Sequence, residues 1–167
     1  MIEIRWSTAE DAQALARLHA ASWRNAYAGI LSRPSIERMV SHRGAAFWRR
    51  TSGAGRALVL TLDGAVLGYA TMGFDRRAAR TGDADTGEIF ELYLAPEAQG
   101  VGLGRRLFEA ARSELSAYGL RRLRVWALAE NEVGCRFYRA LGGEEWSRTR
   151  ERIGDREIEK VGFRWEG

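Results

Sequence analysis

The stretch ELYLAPEAQGVGLGRRLFEAA, residues 91–111, decides how the rest of the chain is interpreted. Three glycines, at positions 100, 102 and 104, stand between a run typical of a strand and a run typical of a helix. Because glycine lacks a Cβ atom, a turn rich in glycine lets an anion come close to the backbone. The first N–H groups of the following helix have no partner within the helix and lie at the positive end of its dipole. The stretch therefore predicts a phosphate-binding turn.

Two common phosphate-binding motifs do not fit these glycines. A P-loop requires Gly-x4-Gly-Lys-Ser/Thr, whereas Arg105 and Arg106 follow Gly104 here. A dinucleotide-binding fingerprint requires Gly-x-Gly-x-x-Gly and an acidic residue about 20 positions later. In that region this chain has the run RRLR, residues 121–124. A tight turn without a ligand stays open as an alternative, although such a turn does not require three glycines.

The composition is that of an ordinary globular chain, and 167 residues fit one domain, residues 1–167. The net charge is +4, and the arginines are scattered rather than gathered in a basic stripe, so we expect no nucleic-acid partner. No window approaches the roughly 18 uncharged apolar residues of a membrane span, and the N-terminus lacks the pattern of a signal peptide. The single cysteine, Cys135, excludes an internal disulfide. It fits a reducing cytoplasm, where we place the protein.

Hydrophobic alternation and turn residues divide the chain into strands and helices. Asp63-Gly64 predicts a hairpin turn. The polar stretch 76–87 is expected to form a mobile loop. Strands at 88–95 and 122–129 flank a helix, so we expect them to be parallel and joined by a right-handed crossover. The result is a mixed α/β (α+β) sheet with helices on its faces, with strands 2–6, 56–62, 65–74, 88–95, 122–129, 144–152 and 157–165, and helices between Thr8 and Gly29, at 32–40, 102–118 and 131–141, with a further turn at 44–50.

Two motifs give the chain a resemblance to a known family. The segment Gln99–Gly104, QGVGLG, matches the Gln/Arg-x-x-Gly-x-Gly/Ala signature of the GCN5-related N-acetyltransferase (GNAT) superfamily. Asn131 opens a short helix, and Tyr138, seven residues later, precedes Leu-Gly, which resembles the second half-motif of that family. The segment SWRNAYAGIL, residues 22–31, looks like one common in members that act on small molecules. The motifs occur in the family's order along essentially the whole chain.

The resemblance implies a fold and a co-substrate. The fold is a mostly antiparallel mixed sheet with helices on both faces and a central parallel pair of strands that splay apart. Acetyl-CoA would lay its pyrophosphate on the glycine turn and its pantetheine arm in the gap between the splayed strands, and no metal is expected. Asn131 could cap its helix and also hydrogen-bond the arm. The residues expected to bind acetyl-CoA are Leu92, Leu94, Gln99, Gly100, Val101, Gly102, Leu103, Gly104, Arg105 and Asn131.

The resemblance also implies a general acid and suggests a general base. Tyr138 is expected to protonate the departing thiolate. The alternative is that Tyr138 is an aromatic residue that packs in the core. Glu88 matches the catalytic glutamate of the histone-acetylating branch, and Glu91 matches a carboxylate frequent in small-molecule members. Regular alternation would place Glu88 and Glu91 on opposite faces of their strand, although a bulge would shift that register. Either glutamate could act as the base through water, and a reaction without a dedicated base stays open as the third alternative.

The expected reaction is direct acetyl transfer, in a ternary complex, to a primary amine of a small molecule. A peptide or protein acceptor and a non-catalytic acyl-CoA-binding regulatory module stay open as alternatives. Trp126 stands where ribosomal-type acetylators often carry a glutamate, which argues against that assignment. Homodimers are common in the family, and nothing in the sequence requires one. The aromatic residues expected to line the acceptor cleft, where cation–π contacts could hold an amine, are Trp23, Tyr27, Trp48, Phe74 and Trp126.

Overall fold

A computed structural model describes residues 1–167. Seven strands form one sheet in the order β1-β2-β3-β4-β5-β7-β6, and six helices pack against it. Only the neighbours β4 and β5 are parallel. The strands are β1 Ile2–Trp6, β2 Ala57–Leu62, β3 Ala65–Phe74, β4 Thr86–Leu94, β5 Arg122–Leu128, β6 Glu144–Ile153 and β7 Arg156–Trp165, and the helices are α1 Ala12–Tyr27, α2 Arg33–Ser41, α3 Ala45–Gly53, α4 Arg76–Arg80, α5 Leu103–Ala117 and α6 Glu132–Ala140.

Helices cover both faces of the sheet, because alternate side chains of each strand leave it on opposite sides. Leu58 and Ala70 belong to the cluster of buried side chains around Leu107 of α5, on what we call the α5 face. Val59 and Tyr69 pack with α1 and α3 on what we call the α1 face. These positions confirm the expected mixed sheet with helices on both faces. No helix of the chain combines the length and the apolar character that crossing a bilayer requires.

The parallel pair of strands separates partway along its length. Thr86–Ile89 of β4 pairs with Arg122–Val125 of β5, and the pairing stops there although both strands continue. From Phe90 to Leu94 the β5 side of β4 therefore carries main-chain groups without a partner strand. This confirms the splayed central pair and leaves a gap that opens through the sheet.

A β-bulge changes which side chains of β4 share a face. Thr71 of β3 pairs with Glu91 and Met72 pairs with Ile89, so Phe90 is one extra residue in β4. A bulged residue and its neighbour leave the strand on the same side. Ile89 belongs to the core of the α5 face, and Glu88 and Glu91 both lie on the α1 face. The prediction from regular alternation, that the two glutamates lie on opposite faces of the strand, is therefore wrong, and the bulge is the physical reason.

The expected loop at 76–87 is also wrong. Residues Arg76–Arg80 form the short helix α4, and β4 already begins at Thr86. The carboxylate of Asp75 accepts hydrogen bonds from the N–H groups of Arg77 and Ala78, both at 3.0 Å, and so caps the helix. Ala78 is buried. The polar composition of this segment favours a loop, but the segment contains an Asp N-cap followed by good helix formers. The other predicted elements differ from the observed ones only near their ends.

Candidate active site

The glycines of the turn before α5 have separate structural roles. Gly100 and Gly102 have φ angles of 78° and 82°, a left-handed conformation that disfavours other residues. A Cβ atom at Gly104 would lie 3.0 Å from the ring of Phe137, so this glycine allows α5 and α6 to approach each other. The Gln99 side chain donates a hydrogen bond of 3.0 Å to the carbonyl of Leu94 and ties the turn to the end of β4.

The amides of this turn are free to bind a ligand. No main-chain N–H from Gly100 to Arg105 donates to a main-chain acceptor, and Gly102 provides no side-chain cap to α5. The first intrahelical bond runs from the Arg106 N–H to the Gly102 carbonyl at 3.2 Å. A row of unbonded N–H groups at the positive end of a helix dipole is a site for an anion. This arrangement agrees with the phosphate-binding turn expected from the sequence.

Two further predicted binding segments border the gap. Leu92 and Leu94 lie on the part of β4 that has no partner in β5, and their side chains pack on the α5 face. On the opposite side, Asn131 caps α6 by accepting a hydrogen bond of 3.1 Å from the N–H of Gly134. The N-terminus of α6 and the unpaired part of β4 therefore border the same opening.

Glu88 combines partial burial with a mixed electrostatic environment. Burial, reinforced by the charge of Asp75, raises the pKa of Glu88 to about 7, while Lys160 and Arg77 act in the opposite direction. No cation lies within ion-pair distance of its carboxylate, so no ion pair returns the pKa of Glu88 to its ordinary value. A carboxyl group with a pKa close to neutral pH is suited to accept and release a proton under physiological conditions.

Glu91 lies on the same face in a different environment. Its Oε1 forms an ion pair of 3.2 Å with Nη1 of Arg43, from the turn between α2 and α3. Its Oε2 is buried without a hydrogen-bond partner, as is the hydroxyl of Tyr69. Burial raises the pKa of Glu91, and the charge of Arg43 partly offsets that rise. The ion pair holds Glu91 in place and makes it less available for proton transfer than Glu88.

Tyrosine hydroxyls lie on both sides of the gap. Tyr138 of α6 is buried among aromatic rings of the α5 face, including Phe108 and Phe163, and burial raises its pKa. The hydroxyl of Tyr27 contacts that of Tyr93 at 2.6 Å on the α1 face. Tyr27, from the other face, also contributes to the raised pKa of Tyr138. Tyr138 is thus buried in the core and also close to the opening.

The structure brings together only some of the aromatic residues expected around the acceptor. Trp23 packs against Tyr27, with ring centroids 4.5 Å apart and the rings tilted by 54°, near the α1 face of the gap. Trp126 lies on that face of β5, partly exposed. Trp48 is completely buried against Tyr69, so its assignment to the cleft is wrong and it belongs to the core.

Phe74 is separated from the other predicted wall residues. It pairs with Gly87, and a Cβ atom at Gly87 would point at Leu115 of α5. Residues paired across antiparallel strands leave the sheet on the same side, so Phe74 extends from the α5 face. Its placement in the acceptor cleft is therefore wrong. The strand parity of Phe74 could have shown this, since Ala70 and Met72 are core residues of that face.

Sequence reasoning missed other residues of the α1 face. Phe90, the extra residue of the β4 bulge, is half exposed, and its ring covers Gly73. Trp146, from β6, packs against Trp126 with ring centroids 5.0 Å apart. Lys160 lies near both Trp126 and Glu88. Alternation alone places Phe90 on the face of Glu88. Local patterns cannot bring Trp146 to Trp126, because that contact depends on the pairing of β6 with β7 and of β7 with β5.

Known acetyltransferases have sequences similar to this chain. YuaI of Bacillus subtilis, an uncharacterised N-acetyltransferase, is 27% identical over 165 residues, which cover 99% of this chain and 93% of that protein. The mycothiol acetyltransferase of Kocuria rhizophila is 33% identical over 78 residues, 45% of this chain. The matched segment spans only 26% of that relative.

Structure comparison gives the same fold. The crystal structure of PaiA N-acetyltransferase from Thermoplasma acidophilum, in complex with coenzyme A, aligns with a TM-score of 0.77 at 23% identity. The alignment covers 96% of this chain and 98% of that one. Residues 13–142, more than half of the sequence, match the acetyltransferase (GNAT) family. The chain therefore belongs to the GNAT family of acetyltransferases.

Proposed function

We propose that this acetyltransferase transfers the acetyl group of acetyl-CoA to a primary amine of a small molecule, by direct attack within a ternary complex. The observation that carries the proposal is the gap between β4 and β5. The gap lies between the unbonded amides of the glycine turn and Glu88, a carboxylate with a raised pKa on the α1 face. Such a gap lets a donor and an acceptor approach each other from opposite faces.

The donor would bind along main-chain groups. The amides of Val101, Gly102, Leu103, Gly104 and Arg105 would hold its pyrophosphate, since two phosphates at a helix N-terminus need no dedicated lysine. The unpaired part of β4 at Leu92 and Leu94 would bond the pantetheine arm in the manner of an added strand. Gln99 and Gly100 shape the turn, and Asn131 borders the arm from α6.

The acceptor side must remove a proton before the amine can attack. A free amine with a pKa near 10.4 is mostly protonated at neutral pH. Glu88, on the acceptor face and with a pKa of about 7, would accept that proton through water. The nitrogen then bonds to the acetyl carbon and loses its remaining extra proton to solvent, the carbon–sulfur bond breaks, and the thiolate receives a proton from Tyr138, which solvent reprotonates. Glu91, held by Arg43, would be a positioning residue of the β4 bulge rather than the base.

The test is CoA release from acetyl-CoA, followed by thiol detection, across polyamines, amino acids, aminoglycosides and short peptides. Tyr138→Phe would be assayed beside the wild type, together with acetyl-CoA binding by calorimetry. Turnover with a small amine that collapses in Tyr138→Phe, while acetyl-CoA binding is retained, supports the proposal. Turnover with peptides alone would overturn the small-molecule assignment. Acetyl-CoA binding without any turnover would favour a regulatory module, and no binding would overturn the interpretation of the glycine turn.

A further inference from the structure

We propose that Trp126 and Trp146 form a platform of two indoles that binds the part of the acceptor remote from its amine, and that this part is a planar group without positive charge. The inference rests on the proposed function, because it names the class of acceptor for the same site. It adds Trp146, from the C-terminal hairpin, as a specificity-determining residue. The evidence lies in strand register, close packing and charge on the α1 face of β5, β7 and β6.

Trp146 lies at a second β-bulge. Glu145 of β6 pairs with Phe163 of β7, and Ser147 pairs with Gly162, so Trp146 is the extra residue between them. Phe163 is a core residue of the α5 face, so Glu145 opposite it lies on that face and alternation directs Trp146 to the α1 face. The bulge leaves Ser147 on the α1 face as well. Bulges are common beside active sites, and Phe90 marks a similar bulge on β4.

Gly162 lets both indoles lie directly on the sheet. A Cβ atom at this position would lie 2.5 Å from Cζ3 of Trp146 and 3.0 Å from Cη2 of Trp126. The two rings are 5.0 Å apart, centroid to centroid, and inclined by 58°. Both remain partly exposed, whereas Trp48 and Trp165 are buried in the core. A partly exposed aromatic pair seated on a glycine offers indole surface, inclined rather than flat, against which a planar group of a ligand can pack.

The charges around the platform select what can bind there. Cζ of Arg124 lies 4.6 Å from the ring centroid of Trp146, and Nζ of Lys160 lies 5.9 Å from that of Trp126. The negative ring faces therefore already carry cations of the protein itself. Arg124 also pairs with Asp83 at 3.5 Å and Lys160 with Glu151 at 2.8 Å, so both cations are held beside the rings. A cation of the ligand would have to compete with them for the indoles, whereas a neutral ring or an anionic substituent would not. Arg124 also keeps a buried Nε–H without an acceptor, which shows that its hydrogen-bonding capacity is incompletely used.

The platform adjoins the proposed base. Arg124 is the register partner of Glu88 across the paired part of β4 and β5. Lys160 is close enough to Glu88 to influence its pKa and also close to Trp126. An acceptor with its amine at Glu88 would therefore extend its remote end over the indoles. A rigid amine with a planar ring between the nitrogen and an anionic group fits this layout.

Three probe amines test separately the two properties that we propose for the remote part of the acceptor, a planar ring and the absence of a positive charge. In 4-(aminomethyl)benzoate, a ring separates the amine from a carboxylate; 6-aminohexanoate lacks the ring; and p-xylylenediamine keeps the ring but ends in a cation. We expect the wild type to prefer the first probe in kcat/KM over each of the others by about three- to tenfold, the scale of one aromatic contact. Trp146→Leu should abolish the preference over 6-aminohexanoate by raising KM, with kcat little changed, and Trp146→Phe should restore most of it.

Binding measured without turnover distinguishes this inference from the proposed function. Tryptophan fluorescence is titrated with each probe in the presence of CoA, using wild type, Trp146→Leu and the control Tyr118→Leu, which removes an exposed aromatic residue at the end of α5. Stronger binding of 4-(aminomethyl)benzoate that only Trp146→Leu removes supports the platform, even if no probe is acetylated. Equal binding by wild type and Trp146→Leu, a preference for the diamine, or no binding of any probe overturns it. Absence of acetylation alone counts against the proposed function only.

Discussion

Glu88 and Glu91 lie three residues apart on one strand and, because of the Phe90 bulge, on one face, but their surroundings differ. Glu91 is nine-tenths buried and paired with Arg43 at 3.2 Å. Glu88 has no ion-pair partner; burial and the charge of Asp75 raise its pKa, and Lys160 and Arg77 lower it. Residue type and strand position are nearly the same in the two cases. The difference shows that the environment, supplied by distant parts of the chain, decides which carboxylate can exchange protons.

The largest expected effect comes from exchanging each carboxylate for an amide. Glu88→Gln should lower kcat/KM by about 10²–10⁴, the usual contribution of a general base. Glu91→Gln should change it by less than about tenfold, since an amide can still accept a hydrogen bond from Arg43. Steady-state kinetics of the two variants at pH 7.5 measure this directly. Equal losses in both variants would remove the distinction between the two glutamates.

Loss of activity in Glu88→Gln should not arise from unfolding. Folding raises the pKa of Glu88 from its ordinary 4.5 to about 7, so the folded protein holds this proton more tightly than the unfolded chain. That contribution to stability is fully present below pH 4.5 and is lost as the pH rises through 7. Glutamine mimics the protonated acid, so the variant should be at least as stable as the wild type at pH 8. Thermal unfolding at pH 5 and pH 8 provides the control.

Tyr138→Phe tests the residue on the other side of the gap. Its ring packs among Phe108 and Phe163, and phenylalanine preserves that packing. We expect kcat to fall by about 10² with the KM for acetyl-CoA little changed, because only the proton donor is removed. Steady-state kinetics beside a melting curve separate the two effects. An unchanged kcat would assign Tyr138 to the core alone.

Arg43→Met should make the surroundings of Glu91 more like those of Glu88. Burial already raises the pKa of Glu91, and removing the guanidinium takes away the main opposing influence. We expect the free energy of unfolding to fall by about 1–3 kcal/mol at pH 8, the cost of leaving a buried polar group without its partner. Since the folded pKa lies above 4.5, this loss should shrink as the pH falls toward 4.5. Denaturant titrations at pH 5 and 8 measure it, and a pH-independent loss would contradict the assigned cause.

The smallest effect concerns the glycine turn, where a matched control exists. Gly102 and Gly119 both have a φ angle of 82° and open space where a Cβ atom would go. Alanine at either position should cost about 1–2 kcal/mol of stability, because it forces a left-handed conformation. Only Gly102→Ala should also raise the KM for acetyl-CoA, by about tenfold, since only Gly102 adjoins the unbonded amides. Equal KM values for the two variants would argue against donor binding at this turn.

The parts of the site that local sequence could predict are those built from neighbouring residues. The glycine turn, the N-cap at Asn131 and the strand–helix–strand unit around α5 each depend on short spacings, and the structure contains all three. The α4 helix was missed because a single Asp N-cap in a polar segment is a weak signal. Boundaries elsewhere were predictable because Gly and Pro mark them.

The rest of the site depends on long-range pairing. The shared face of Glu88 and Glu91 results from a β-bulge between β3 and β4, and the contact of Trp146 with Trp126 depends on the pairing of β6 with β7 and of β7 with β5. Arg43 reaches Glu91 from a turn nearly fifty residues earlier. The assignment of Trp48 to the cleft is wrong because an aromatic side chain looks the same in sequence whether it lines a cleft or fills a core. None of these features has a periodicity that a local pattern can reveal.

The most direct test of the account is the pKa of Glu88 itself. Carbon-13 NMR of the glutamate side-chain carboxyl groups, recorded from pH 4 to 9 and assigned by the signal missing in Glu88→Gln, gives the midpoint for this one residue. The account predicts a midpoint near 7 for Glu88. A midpoint near 4.5 would contradict it, because an ordinary surface carboxylate would then occupy the position assigned to the base.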